Sequence, residues 1–394
     1  MSKRKGLVAF LIILIVSALW QTGCGKPSSH LTTTTTTSTS VTTTVTFSST
    51  TSTIIRDGKT FLMQNVDHTG IRIGNIYTSL ALDRVDEEKA HISYYHRVNE
   101  DLKYATGKVG SWEVEVVDSS GDVGLYTSIA VDSNNQVHIS YYAPCHSALA
   151  YASGESNSWT ITTVDDPMTA DVGYYSSLAL DSNNKSHICY YDWDNMNLKY
   201  ATNKTGTWDI EIVDGSGTGV GKYCSIAIDN EDKVHISYYD EGGKNLKYAY
   251  GEAGSWQKKE TIDITEVGEY TSIAIDNNNR PHISYYDRAK GDLKHAYQAT
   301  VDTWFRTKVD EFGDVGQFSS IALDNNNRPH ISYYDVTNSS LKYAYYDGTS
   351  WEPLTLDDGT DVGQDTSIAI DSNNKVHIVY YDVDKNLLKY LVEQ

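Results

Sequence analysis

Seven histidines recur at one place in a repeated stretch whose plainest form is HISYYD: His91, His138, His187, His235, His282, His330 and His377, at steps of 47, 49, 48, 47, 48 and 47 residues. Imidazole is the commonest metal ligand and a ready proton carrier, so a His held at one repeat position invites a metal or acid–base reading. The spacing opposes it. Residues set one per repeat stand several strand spacings apart, and a metal needs its nitrogens within about 2.1 Å. The expectation is a structural imidazole, hydrogen-bonded within its own repeat. No CxxC or HExxH occurs, so neither a metal nor a cofactor is expected.

A second recurring pair is the Asp that closes HISYYD and a Lys seven residues later: Asp192 and Lys199, Asp240 and Lys247, Asp287 and Lys294, Asp335 and Lys342, Asp382 and Lys389. In the second repeat both are lost together, as Ala143 and Ala150, which predicts a cross-strand ion pair. Such a pair is worth roughly 0.2–1 kcal/mol and is structural, not an acid or base. No repeat carries the distinctive pair of carboxylates that glycoside hydrolysis uses.

Aromatic residues open the first strand of six repeats, Tyr77, Tyr126, Tyr175, Tyr223, Tyr270 and Phe318, with Asp365 in the seventh. They either ring the mouth of a central channel as stacking surfaces for a sugar or wedge between repeats. Breaks in the pattern mark a second candidate. One loop reads Ala143-Pro144-Cys145-His146, the next Asp192-Trp193-Asp194-Asn195, and a third Asp166-Pro167-Met168 before Tyr174 and Tyr175. These loops follow second and fourth strands and share one face. There Trp193 would stack on a sugar, Tyr174 would flank it, and His146 and Asp166 would bond its hydroxyls; Tyr126 and Tyr270 serve instead if the ligand sits over the channel. Loop drift without function is the alternative.

The elements behind these residues follow from the repeat. Phe318 to Asp324 alternates with period two, Asn325-Asn326-Asn327 is a turn cluster, and His330 to Asp335, Leu341 to Tyr345 and Trp351 to Asp357 supply further strands. Four short antiparallel strands in about 48 residues, seven times over and without a helical period after residue 56, predict an all-β, seven-bladed β-propeller of four-stranded blades. Phe61 to Asp67 matches a fourth strand, with Phe61 where other repeats have Trp, and the last repeat stops after its third strand, Leu388 to Val392. The N-terminal strand is therefore expected to close the ring, over a domain spanning 59–394. Closure removes the open edges of a linear array.

The chain has 394 residues with Asp plus Glu at 52 and Lys plus Arg at 32; four of the basic residues and no acidic ones precede residue 56, leaving 28 basic against 52 acidic in the repeats. That balance argues against nucleic acid, whose phosphates need a basic footprint. At the N-terminus, Lys3-Arg4-Lys5 and the apolar run from Leu7 to Trp20 form an export signal over 1–23, too short for a spanning helix of about 20 residues. Thr22-Gly23-Cys24 resembles the end of a prokaryotic lipobox, with Gln21 where that pattern has Leu. The resemblance implies lipidation of Cys24 and membrane contact through the lipid alone; simple secretion or an uncleaved anchor is the alternative. Residues 24–58, nearly all Thr and Ser, are expected to be a disordered tether. Cys145, Cys189 and Cys224 stand at non-equivalent points of the repeat and read as small packing residues.

From about residue 59 onward the chain resembles the exported bacterial and archaeal seven-bladed propellers built from DxNNxxHISYYD-type units, loosely akin to sialidase-like propellers. The resemblance implies a fold and no reaction, since the sialidase motif SxDxGxTW is absent. The expected function is a non-enzymatic, surface-anchored propeller that binds a glycan or an envelope protein. The alternatives are a carbohydrate-active hydrolase or lyase of sialidase-like shape and a pure scaffold of an envelope complex. A sialidase-type site clamps a carboxylate with several guanidiniums; here the Arg residues are scattered, and Arg280 and Arg328 share the turn opposite the loops above. The lipobox reading predicts that wild type fractionates with membranes whereas Cys24→Ser is soluble or unprocessed; equal membrane retention of both, signal still attached, would identify an uncleaved anchor.

Overall fold

The alternating runs of each repeat form antiparallel strands that pair in sequence order. In the computed structural model, which describes residues 36–38, 51–68, 77–216, 218–300 and 303–394, every helix or strand assigned is a β-strand. Ser79–Leu82, Ala90–His96, Asp101–Lys108 and Ser111–Asp118 make blade one, and the same plan recurs around a seven-bladed β-propeller. Blade seven takes Val362–Ile370, Val376–Asp382 and Leu387–Glu393 from one end of the chain and Lys59–His68 from the other. The expected closure by the N-terminal strand is what the register shows, Phe61 opposite Glu393 and Gln64 opposite Tyr390.

The boundary expected at residue 59 is corrected. Ser52–Arg56, inside the segment read as a tether, pairs with Lys59–His68 as a fifth strand of blade seven. The turn is Asp57-Gly58, both at positive φ (48° and 72°), the backbone a two-residue hairpin requires. Composition hid this strand, because the polar run gives way to the β-branched Thr53-Ile54-Ile55 only at its end. Thr36–Ser38 likewise pairs with the outer strand of blade two. Cys24 and the apolar run before it lie outside the described residues.

The blades are joined by an interaction other than the one expected. The Asp ending each outer strand reaches across the boundary to the next blade, where it accepts from a second-strand Tyr and a third-strand Lys. Asp67 binds Tyr94 and Lys103, both at 2.5 Å; Asp214 binds Tyr238 at 2.7 Å and Lys247 at 2.6 Å. Asp357 binds Tyr380 at 2.7 Å and Lys389 at 2.9 Å, and Asp165, Asp263 and Asp310 repeat the arrangement with Lys199, Lys294 and Lys342. Between blades one and two Ala150 replaces the Lys, and Asp118 holds Tyr141 alone at 2.7 Å. The predicted pairing within HISYYD and LKYA is thus secondary, surviving beside the cross-blade contact at Lys389–Asp382 (2.7 Å) and Lys294–Asp287 (3.6 Å). Register explains it. Lys199 lies directly opposite Tyr190, so its ammonium follows the phenol toward Asp165, while Asp192 caps its own turn by accepting from Asn195 N–H at 3.0 Å.

Two further belts lock neighbouring blades. A serine hydroxyl on each innermost strand accepts a backbone N–H from the next blade, from Ile129 on Ser79 (3.1 Å) round to Leu80 on Ser367 (3.2 Å). On the far face the Asn or Asp side chain of one turn accepts an N–H of the preceding turn, as in Arg84 to Asn135 at 3.0 Å, and Glu87 closes that belt at Ser372 with 2.7 Å. The recurrent His is internal to its blade, as expected: His91 Nδ1 meets Tyr104 Oη at 2.6 Å and its Nε2 faces Asp83 at 3.5 Å. Blade five differs, His282 facing His295 at 3.2 Å where other blades have Tyr.

Two stability predictions follow. Asp310→Ala strands a buried ammonium as well as a phenol, so it should cost about 3 kcal/mol or more, whereas Asp118→Ala strands only a phenol and should cost about 1–2 kcal/mol, read from denaturant midpoints. Equal costs would show that the lysine contributes nothing. Burial lowers His91, His282 and His330 to about 4 from the ordinary 6.5. A depressed His leaves the unfolded chain binding more protons between those values, so stability is complete above pH 6.5 and falls toward pH 4, on the order of 2–3 kcal/mol per histidine. His295→Tyr rebuilds the pair found elsewhere, and its melting temperature should gain on wild type more at pH 5 than at pH 8.

Candidate functional site

The short motif VGxY, at the start of the innermost strands of blades two to five and as VGQF and VGQD in blades six and seven, builds the face on which the site lies. Its Gly sits where another blade's backbone passes: at Gly173, φ 112°, an added Cβ would meet Leu149 Cα at 3.0 Å. The aromatic two residues on is itself left-handed, φ between 50° and 55° at Tyr77, Tyr126, Tyr175, Tyr223, Tyr270 and Phe318, with Asp365 at 48°. A bulky residue pays for that conformation, and here it coincides with a break in strand register that turns the side chain inward.

Turned inward, the six rings lean on one another around the channel, tilted by 45° to 50°, with successive centroids 4.4 to 4.8 Å apart. Asp365 fills the gap, accepting from Tyr77 N–H at 3.2 Å. They line a cavity of about 190 Å³ together with the hydroxyls of Thr78, Thr127, Ser176, Thr271, Ser319 and Thr366. The rings thus line the channel and pack against their neighbours.

Outside this circle stand the second tyrosines of HISYYD, 6.3 to 6.4 Å from the ring of their own blade at Tyr142, Tyr191, Tyr239, Tyr286 and Tyr334. Most are tied down: Tyr142 donates to Asp171, Tyr286 to Asp314 and Tyr334 to Asp361, each at 2.7 Å. Burial raises Tyr191 and Tyr239 to about 12, so both are neutral phenols at ordinary pH.

Next to these rings, in blades three to five, stand two residues that the repeat leaves variable, the x of VGxY and the residue after HISYYD. Blade three supplies Tyr174 and Trp193, rings 5.0 Å apart; blade four Lys222 and Glu241, paired at 2.7 Å; blade five Glu269 and Arg288, paired at 2.9 Å. Lys222 lies over the Trp193 ring at 5.1 Å, which joins blade three to blade four. Beyond it opens a cavity of about 330 Å³, lined by Lys222, Glu241, Glu269, Arg288 and Gln317 and by Tyr175, Tyr223, Tyr239, Tyr270 and Tyr286.

Of the residues singled out from sequence, Trp193 is half exposed and Tyr174 lies against it. Tyr126, 5.6 Å from Tyr174, connects that patch to the channel ring, and Tyr270 lies in both the ring and the larger cavity. The loop patch and the channel mouth, treated as rivals, are one surface. Two residues are not drawn in. Asp166 is exposed and its carboxylate accepts from Met168 N–H at 3.2 Å; the carboxylate beside Tyr174 is Asp171, accepting its hydroxyl at 2.9 Å. Among the described residues no hydrogen bond or ring contact joins His146 to Trp193 or Tyr174. Lys222, Glu241, Glu269, Arg288 and Tyr239 were missed, although Arg288 was visible as an arginine without a place in the repeat. The signal was the pair of variable columns, which only a column-by-column reading of the seven repeats isolates.

No family model matches the chain, and no curated protein matches it. Among solved structures it is similar to an oligogalacturonate lyase from Vibrio parahaemolyticus, 10% identical over 88% of this chain and 97% of that one, with TM-score 0.55. It is also similar to a PL25 ulvan lyase bound to -[GlcA(1-4)Rha3S]-, 13% identical over 83% and 95% with TM-score 0.54. A mutant of AofleA from Arthrobotrys oligospora gives 12% identity over 77% and 92%, with TM-score 0.53. At such identities the likeness is one of fold.

Proposed function

We propose that this propeller is a non-enzymatic binder of neutral glycans in the cell envelope, held there by a lipid on Cys24. The observation that carries the reading is the unbroken aromatic surface from Trp193 through Tyr174 and Tyr126 to the cavity at Tyr239 and Tyr270. Sugar rings present apolar C–H faces that stack on aromatic planes, and their hydroxyls pair with phenols and carboxylates. The charges in the cavity come in opposed pairs, Lys222 with Glu241 and Arg288 with Glu269, so each cation already has its anion. With 52 acidic against 28 basic residues from residue 56 onward, the domain repels a polyanion.

Two of the similar structures are described as lyases of oligogalacturonate and ulvan, which ties this architecture to carbohydrate. A lyase acting on uronates would need Lys222 or Arg288 free to take a carboxylate. Their pairing with Glu241 and Glu269 favours binding over that chemistry. An exposed Trp also anchors protein interfaces, so the retention of a glycan is what separates this reading from an envelope scaffold.

An array of neutral and uronate oligosaccharides, probed with the full chain, should retain neutral ligands. Trp193→Ala should then weaken binding by about 2 kcal/mol, as a central aromatic contact does, with an unchanged melting temperature. Release of unsaturated sugars from ulvan or polygalacturonate would establish the lyase instead. If no glycan is retained, the scaffold reading takes over.

A further inference from the structure

At five blade boundaries the residue after the channel aromatic shares a hydrogen bond with the Ser of HISYY in the preceding blade. The pairs are Thr127 and Ser93 at 2.8 Å, Ser176 and Ser140 at 3.1 Å, and Thr271 with Ser237, Ser319 with Ser284 and Thr366 with Ser332 at 2.9 Å. At the boundary of blades three and four both positions are cysteine, Cys224 and Cys189. A pair of hydroxyls has been exchanged, as a pair, for two thiols. The closure boundary shows what a single exchange looks like: Val379 takes the place of the serine, and Thr78 turns away to the Asp365 carbonyl.

Both cysteines belong to one apolar cluster as free thiols, Cys189 fully buried and Cys224 6% exposed, and they are close enough that Cys224 adds to burial in opposing ionisation of the Cys189 thiol. The Cys224 thiol is held toward the boundary by the Tyr175 carbonyl at 3.2 Å, as the Ser176 hydroxyl is held by Tyr126 at 2.7 Å. Side chains that meet oxygen to oxygen at about 3 Å keep their β-carbons near the roughly 3.5–4.5 Å that a disulfide spans.

We infer that Cys189 and Cys224 form a disulfide that staples blade three to blade four at the boundary carrying Trp193 and Lys222. This modification stands independently of the glycan reading. The oxidant is a small disulfide or a dithiol oxidase. Cys224 lines the channel, so its thiolate attacks one sulfur of the oxidant and expels a thiolate; Cys189 then attacks the Cys224 sulfur and expels the second. The two thiol protons pass to the expelled thiolates, and two electrons reduce the oxidant to two thiols. Cys145, on the loop after the second strand of blade two, takes no part and serves as an internal control.

The test is peptide mapping of the full chain, purified without reductant, incubated with oxidised glutathione, then alkylated in denaturant and digested. The Cys189 and Cys224 peptides should be recovered as one cross-linked species while Cys145 carries an alkyl group or a single glutathione and is cross-linked to neither, and dithiothreitol should lower the melting temperature by several degrees. The double variant Cys189→Ser, Cys224→Thr restores the hydroxyl pair of the other boundaries and should fold and lose the dithiothreitol response. Alkylation of both peptides after oxidation, or an equal response of wild type and double variant to dithiothreitol, would overturn the inference.

Discussion

A carboxylate buried at the seam between blades holds this ring together. The Asp ending each outer strand is buried or largely buried, and removing a carboxylate from water costs several kcal/mol unless its oxygens are fully bonded. The next blade supplies those bonds from a phenol and, at six of the seven seams, an ammonium. Neither partner lies in the blade that owns the Asp, so no blade is satisfied alone. Asp214 shows the balance: burial pushes its carboxyl up, but bonds from Lys247, Ser216 and Tyr238 outweigh this and hold it at about 2. The last seam needs Asp67, which arrives from the far end of the chain, and so closure and satisfaction of the charge are one event.

The seams set the relative positions of the innermost strands, which carry the channel aromatics. The left-handed aromatic of each innermost strand is tolerable because Gly of VGxY lets a neighbouring backbone close over it and the ring of aromatics supports each member. A rigid, nearly seven-fold scaffold leaves two positions per blade free to vary without disturbing any seam. Those positions carry Trp, Tyr, Lys, Glu and Arg over blades three to five, and Arg97, Leu125, Pro144, Gln317, Val336, Gln364 and Val383 elsewhere, so that aromatic residues and opposed charge pairs fall together only on that arc. The distinctive chemistry lies on one arc of the rim.

The architecture was legible because each of its causes repeats: the Asn-bearing turn and the Trp-led outer strand are each written six times, and the spare strand at Phe61 accounts for the missing one at the end. The Asp–Lys partnership was legible as a concerted loss at Ala143 and Ala150, but among the described residues the expected Asp keeps its Lys only at Asp287 and Asp382, beside a cross-blade Asp that the sequence did not point to. Sequence separation favours a partner on the adjacent strand, and only the register of Lys199 opposite Tyr190 directs the ammonium over the seam. Trp193 and Tyr174 were found because they break the pattern conspicuously. Asp171, Lys222, Glu241 and Glu269 were not, because a charged residue in a loop looks ordinary until the fold sets it beside an opposite charge and a tyrosine. His146 was conspicuous for its unusual loop, and an unusual loop need not face the site.

The central claim is that recognition resides where the repeat is broken and not in the seven-fold pattern itself. Calorimetric titration of the full chain with a neutral oligosaccharide selected by binding tests this most directly, because the two possibilities differ in stoichiometry. One ligand per chain is the result expected of a single arc over blades three to five. Six or seven equivalent sites per chain would place binding on the repeated tyrosines and contradict the claim.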